Sequence, residues 1–257
     1  MEQTVRKAFD VLEALAKSGG PRRLTDLSRE LSLTKPNVYR LLSTLSELGY
    51  VSKEEATSRY SATLKLWEMG SVLVHDANLV TVTAPRLREL CERAHESVQL
   101  AVYDAGYAVY VNKVDSPQPI KAMTTIGSRI PAAVSSTGKA ILAWLEDAEV
   151  KQAFTLVRRF TPLTRTQRAD LDRDLADARN RGYAVNYGEW RPGICGIAAP
   201  LRDHRGQVVA AMGIWGAEGS ILGARRDELG QHVLDVCAQA SRELGYLSAS
   251  PSRPAGA

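Results

Sequence analysis

Residues 24–50 constrain this chain more than any other stretch. A short amphipathic segment (Leu24, Leu27, Leu31) is followed by a break at Ser32, Leu33 and Thr34. The apolar positions Val38, Leu41, Leu42, Leu45 and Leu48 then recur at helical spacing. Two helices joined by a tight turn satisfy that pattern, which is the outline of a helix-turn-helix. Pro36 falls in the first turn of the second helix, where a missing N–H costs little because that donor has no intrahelical partner. Thr34 and Lys35 open the helix and Gly49 closes it. With Val38, Leu41, Leu42 and Leu45 turned inward, the outward side chains are Lys35, Asn37, Tyr39, Arg40, Ser43 and Thr44. These types hydrogen-bond base edges and grip phosphates. A helix pair with a polar outer face also occurs in plain all-α domains, so the pattern alone leaves both readings open.

The residues that follow favour DNA. Residues 50–53 and 57–61 read as two short strands on either side of an acidic turn at Glu54 and Glu55. A hairpin there makes the domain a winged helix-turn-helix. Lys53, Ser58 and Arg59 then reach the phosphate backbone from the wing, with Arg29 on the same side. Charge adds little. The chain carries +4, and residues 1–60 hold ten Lys+Arg against eight Asp+Glu. Geometry must carry the expectation, and dimerisation would gather the positive charge on one face.

At 257 residues, 44% apolar and 24% charged, the chain has the size and balance for one small and one medium globular domain. No run of ~18 apolar residues occurs and the N-terminus lacks a signal-peptide pattern, so a cytoplasmic protein without a membrane segment is expected. Cys91, Cys195 and Cys237 are odd in number and far apart, and His75, His95, His204 and His232 are equally scattered. Neither disulfides, a metal site nor a cofactor is expected.

In chain order, a helix over 4–17 turns Val5, Ala8, Leu12 and Leu15 inward with Val11 beside them, and Gly19, Gly20 and Pro21 end it. Thr25 is expected to cap the next helix. Over 64–74, Leu64, Leu66, Trp67, Met69, Val72, Leu73 and Val74 cover more than one helical face. Such a helix either connects and dimerises two domains or is a plain core helix. Beyond it the pattern predicts a helix over 85–96, strands over 97–103, 107–114 and 120–125, and helices over 135–145, 147–156 and 166–181. Strands over 183–186, 194–201 and 207–215 and a helix over 223–244 complete it. Hairpin strands with helices at either end give an α+β domain on an antiparallel sheet. The expected division is 1–61 for the winged helix-turn-helix, 62–80 for a linker and dimerisation helix and 81–248 for the second domain. A disordered tail rich in Ser, Pro, Gly and Ala occupies 249–257.

Two chemistries compete in the second domain. Ser136 and Lys139 have the Ser-x-x-Lys spacing of acyl-transfer hydrolases, but no Ser-Asp-Asn or Lys-Thr-Gly element accompanies them. Gly138-Lys139 lacks a phosphate loop's first glycine, Ala133 standing there, and its following hydroxyl, Ala140 standing there. Cys195 lies in an apolar strand and reads as a buried, inert thiol. The other chemistry is binding. Ser135, Ser136 and Thr137 put hydroxyls and free N–H groups at a helix start, and Gly193, Gly196 and Gly213 leave room along neighbouring strands. A carboxylate-bearing small molecule suits that arrangement, and so does an ordinary helix cap among ordinary sheet glycines.

From residue 4 to 247 the chain resembles the IclR family of bacterial transcription regulators. The resemblance rests on RKAFDVL at 6–12, LTKPNVYRLL at 33–42 leading to LGY at 48–50, and TGKAILA at 137–143. It continues with RGY at 181–183, EWRPG at 189–193 and GIAAP at 196–200, all in order and at the family's spacing. It implies a winged helix-turn-helix, a linker helix that dimerises the DNA-binding domains, and a GAF-like C-terminal domain that binds a small effector and often tetramerises. By position it implies an effector pocket of Ile130, Ser136, Thr137, Asn186, Ile194, Gly196, Gly213 and Trp215. Family members often carry Ser-Thr where this chain has Pro36 and Asn37, which implies a different operator. Several carry Cys or Ser at the place of Gly196 and Ser at the places of Gly213 and Trp215, which implies a less polar pocket floor. Trp215 either stacks on a ring or sugar face or is simple core. The combined expectation is a transcriptional regulator, a repressor rather than an activator, and not an enzyme. Its partners are double-stranded operator DNA, a small carboxylate of the sugar-acid or aromatic-acid class, and further copies of itself as a dimer or tetramer.

Overall fold

The computed structural model describes residues 3–73, 77–116 and 124–247. The chain divides into two compact units, residues 1–77 and 78–257. In the first, α1 (Gln3–Lys17) buries Val11, Leu12, Ala14 and Leu15. Val5, expected inside, is exposed, because burial along α1 starts only at Val11 and no described element of this unit covers the earlier turns. β1 (Arg22–Arg23) pairs with β3 (Arg59–Ala62) and runs directly into α2 (Leu24–Glu30). That pairing keeps Arg23 extended as the residue before the helix, so Thr25 lies inside the first turn and does not cap it. Ser28 closes the next turn, its Oγ donating to Leu33 O at 2.6 Å while Leu33 N donates to Ser28 O at 3.0 Å. α3 (Lys35–Glu47) carries Pro36 in its first turn and buries Val38, Leu42 and Leu45. It stops at Gly49 (φ +79°), where Gly49 N reaches Ser46 O and Tyr50 N reaches Leu45 O, both at 2.9 Å. Only a residue free to take positive φ closes a helix this way at no steric cost. β2 (Val51–Glu54) and β3 form the wing, giving the order β1-β3-β2. α4 (Lys65–Leu73) follows, and Val74, the last residue of the sequence-read helix, lies outside the described residues.

The second unit is built on an antiparallel sheet of β4 (Ser97–Asp104), β5 (Tyr107–Val114), β6 (Arg129–Pro131), β7 (Ala184–Asn186), β8 (Ile194–Arg202) and β9 (Val208–Ala217). Among the described residues the strand order is β6-β5-β4-β9-β8-β7. α5 (Ala77–Ala94) and α10 (Arg226–Glu243) place Leu87, Leu90, Val233 and Val236 against Leu100, Ile197, Met212 and Ile214 on one face, with the short α9 (Glu218–Ile221) between β9 and α10. α6 (Ser136–Leu142) and α8 (Arg168–Arg181) place Ile141, Leu142, Leu171 and Leu175 against Ala198 and Ala211 on the other, and α7 (Asp147–Thr155) adds Val150 and Ala153. The small residues on this face let α6 lie close to the strands. Gly213 belongs to the same economy of space, since a Cβ there would collide with Ala198 and with Ile197 O.

Two further sequence expectations change. The helix read from residue 85 starts eight residues earlier and passes through Pro85, because Leu79 is buried ahead of the proline as Leu87 and Leu90 are behind it. Packing on both sides outweighs the lost N–H. The strand read over 120–125 falls partly on residues outside those described, Thr124 and Thr125 are not in a strand, and the sheet's next member is β6. The expected disordered tail also lies outside the described residues. Among the described residues no helix is long and apolar enough to cross a membrane.

Candidate functional site

The first unit presents a polar face on α3. Lys35, Asn37, Tyr39 and Arg40 are exposed there, Ser43 is half-buried with its Oγ 3.4 Å from Glu47 Oε1, and Arg29 is exposed at the end of α2. No acidic residue occupies the first turn of α3. Arg29, Lys35 and Arg40 form no ion pair among the described residues, so their charge is free for another partner. On the wing, Lys53 is exposed and 3.9 Å from Glu55, while Arg59 is half-buried. Sequence reasoning missed β1, whose register sets Arg23 opposite Arg59 and brings two guanidinium groups onto adjacent strands. Two residues are too few for periodicity to show, and the only trace was an Arg pair directly after Pro21.

In the second unit a cavity of about 300 Å³ opens between the β4–β5 side of the sheet, the start of α6 and the segment between β7 and β8. Of the expected pocket residues, Ile130, Ser136, Asn186, Ile194, Gly196 and Trp215 line it. Thr137 and Gly213 do not. Thr137 is fully buried on α6 beside the Tyr110 phenol, and Gly213 packs on Ala198 in mid-sheet. Gly196 makes room, because a Cβ there would lie 2.7 Å from Ser136 Oγ. Sequence reasoning missed Gln99, Tyr110, Ser128, Arg129, Trp190 and Arg191, all of which line the cavity. Strand alternation could have put Gln99 and Tyr110 on one face, but nothing in a single sequence shows that the face encloses a space.

The lining combines apolar side chains such as Ile130, Ile194, Trp190 and Trp215 with buried polar groups. Gln99 Nε2 donates to Tyr110 OH at 3.0 Å, while Gln99 Oε1, Thr124 Oγ1 and Trp215 Nε1 are buried without a partner. Burial pushes the Tyr110 phenol up to about 12, against the pull of Thr137, Gln99 and the Arg191 charge, so the phenol stays neutral. Burial likewise pushes the Cys195 thiol up to about 11, which leaves it protonated at neutral pH. The expected anion site at the start of α6 is differently built. Ser135 Oγ already accepts from Gly138 N at 3.0 Å, and α6 spans only seven residues, a small dipole. Positive charge comes instead from two arginines. Arg129 is 2.7 Å from Asp104 and lies over the Tyr107 ring at 4.7 Å, whereas Arg191 makes no ion pair among the described residues.

Two family descriptions match the chain, the IclR helix-turn-helix domain over residues 4–55 and the bacterial transcriptional regulator IclR C-terminal domain over residues 71–242. The chain belongs to the IclR family. It is 35% identical over 215 residues to the HTH-type transcriptional regulator KdgR of Escherichia coli K12, covering 82% of this chain and 81% of that one. It is 30% identical over 251 residues to the HTH-type transcriptional repressor AllR of the same strain, covering 97% and 92%. A crystal structure of an IclR homolog complexed with 4-hydroxybenzoate, from Microbacterium hydrocarbonoxydans, shares the fold with a TM-score of 0.80 at 21% identity, covering 94% of this chain and 99% of that one. This IclR chain is thus a DNA-binding transcriptional regulator, and its relatives are named as regulators, not as enzymes.

The geometry agrees in rejecting acyl transfer. In this IclR domain Lys139 is fully buried, with Nζ 2.6 Å from Asp174 Oδ2, 2.6 Å from Glu189 Oε1 and 3.5 Å from Val185 O. Its Nζ is taken up by two carboxylates and a backbone carbonyl and makes no hydrogen bond to Ser136. It cannot serve Ser136 as a base.

Proposed function

We propose that this regulator is a repressor that binds its operator through α3 and the wing, and that a small carboxylate in the second unit's cavity modulates that binding. In this reading Lys35, Asn37, Tyr39 and Arg40 contact the groove with Ser43 at its edge, Arg29 grips a phosphate, and Lys53 and Arg59 grip the backbone from the wing. The name of the relative AllR supports repression. The observation that carries the effector reading is the cavity itself, which sets Arg129 and Arg191 beside buried hydrogen-bonding atoms that lack partners. An unpaired guanidinium suits a carboxylate. Gln99 Oε1, Thr124 Oγ1 and Trp215 Nε1 suit hydroxyl groups, which favours a hydroxylated sugar acid over a plain aromatic acid.

Self-association is part of the proposal. Leu64 (78% exposed), just ahead of α4, and Trp67 (68%) and Met69 (50%) on it are exposed, as are Val5 and Phe9 on α1. So much apolar surface on one small unit supports a dimer. A two-fold dimer implies a pseudo-palindromic operator, and a cytoplasmic location follows from the need to reach DNA. An effector works here only by binding one arrangement of the dimer better than another.

The test is titration of the purified protein into its own upstream DNA at two salt concentrations with nonspecific competitor. D-gluconate, D-galacturonate and 4-hydroxybenzoate are then added separately. Specific, salt-sensitive binding weakened by a sugar acid is expected. Binding that no acid alters, with no acid bound by calorimetry, would sink the effector reading.

A further inference from the structure

The segment between β7 and β8 forms one wall of the cavity, and a buried ion cluster holds it. Lys139 of α6 contacts Glu189 and Asp174, and Arg165 lies 3.6 Å from Asp174 and 4.0 Å from Glu189. Two cations and two carboxylates balance. Glu189 is fully buried, yet its Oε2 has no hydrogen-bond partner. A half-satisfied buried carboxylate is costly, and such pairs can often be replaced by apolar residues without loss of stability. Stability alone therefore gives no reason for Glu189.

Position does. Glu189 directly precedes Trp190 and Arg191, which line the cavity. Its backbone is clamped as well. Asn186 Oδ1 accepts from Gly188 N at 2.7 Å and Glu189 N at 3.2 Å, while Thr161 and Thr164 hydroxyls donate to Gly188 O and Glu189 O, both at 2.8 Å. Lys139 sits one helical turn after Ser136, which lines the opposite side. One ion contact thus ties α6 to the segment that carries Arg191.

We propose that Glu189, held by Lys139, is the positioning residue of the cavity, fixing the 189–191 segment so that Trp190 and Arg191 face a bound acid. The proposal rests on the effector reading of the cavity only for the last step, the acid. The groups facing Glu189 are Lys139 from α6, Asp174 from α8, Arg165 from the segment before α8, and the neutral Cys195 thiol from β8. Burial pushes the Glu189 carboxyl up, and Lys139 opposes it. Acidification accordingly protonates Glu189 at a higher pH than an ordinary glutamate and releases the wall.

The experiment uses the full chain labelled with 5-fluorotryptophan, with the Trp190 resonance assigned by Trp190→Phe. In Glu189→Gln the Trp190 resonance is expected to shift or broaden while those of Trp67 and Trp144 stay put. Affinity for D-gluconate, the probe, should fall ~10-fold or more, as for loss of one charged hydrogen bond. In wild type the Trp190 resonance should move on acidification, with a midpoint above that of an ordinary glutamate, and in Glu189→Gln it should not. Asp174→Asn, which leaves the Lys139–Glu189 contact in place, should keep the resonance. An unmoved Trp190 resonance in folded Glu189→Gln, an equal shift in Asp174→Asn, or no acid-dependent movement in wild type each overturns the proposal. If Trp190 behaves as expected but wild type binds no acid, the positioning role stands and the effector reading fails.

Discussion

The two candidate sites put polar side chains to work in opposite surroundings. On α3, Lys35, Asn37, Tyr39 and Arg40 stand in water, and among the described residues the two cations have no ion-pair partner. Around the cavity, Asn186, Lys139 and Glu189 are buried and bound to other parts of the unit. An exposed donor exchanges water for a phosphate or base edge at little cost, so substitutions on α3 should alter DNA binding and spare the fold. A buried polar group has no water to return to. Changes in the cavity wall should therefore move ligand binding and stability together.

The largest effect is expected where packing leaves no room. Gly138→Ala would drive a methyl into the backbone of Ala132, and urea unfolding should show the second unit losing about 3 kcal/mol. Stability close to wild type would mean that the cavity unit is as tolerant as the α3 surface. Next, Arg40→Ala should weaken specific operator binding by ~10–100-fold, the worth of a good base or phosphate contact, with no change in the urea midpoint. A fall in midpoint would blur the contrast between the sites. Gly196→Ser places a side chain against Ser136 in the cavity. Binding of D-gluconate should drop several-fold while operator affinity without ligand holds; unchanged ligand binding would put the ligand elsewhere.

Smaller still is the response of Cys195 to pH. Its thiol is neutral until pH approaches about 11, so iodoacetamide labelling of the native protein should be slow at pH 8 and accelerate on raising the pH. Because this acid's folded value lies above the ordinary 9.0, the stability it contributes is present below pH 9 and is lost as pH rises towards 11. Fast labelling at pH 8 would show that the cavity is wetter than its burial implies. The smallest effect belongs to Lys53→Ala, which should reduce the slope of log affinity against log salt by about 0.9, as for one phosphate contact.

The local pattern was enough for the helix-turn-helix. Leu24, Leu27, Val38, Leu42 and Leu45 repeat at helical spacing, Pro36 and Gly49 mark the ends, and contacts close in sequence decide the result. Most strands and helices of the second unit were legible for the same reason, as with the hairpin Ser97–Asp104 and Tyr107–Val114. The exposed face of α3 followed from periodicity alone. What periodicity could not decide was anything set by distant partners. Val5 came out exposed because no described element covers the first turns of α1, and Pro85 sits inside a helix because Leu79 and Leu87 are both buried. Gly213 proved to be a packing residue because β8 lies close against it. Lys139 read as a possible base beside Ser136, and only the arrival of Asp174 and Glu189, 35 and 50 positions away, turned it into a buried counter-ion. A sequence states what each residue can do; which neighbour satisfies it is fixed by contacts far apart along the chain.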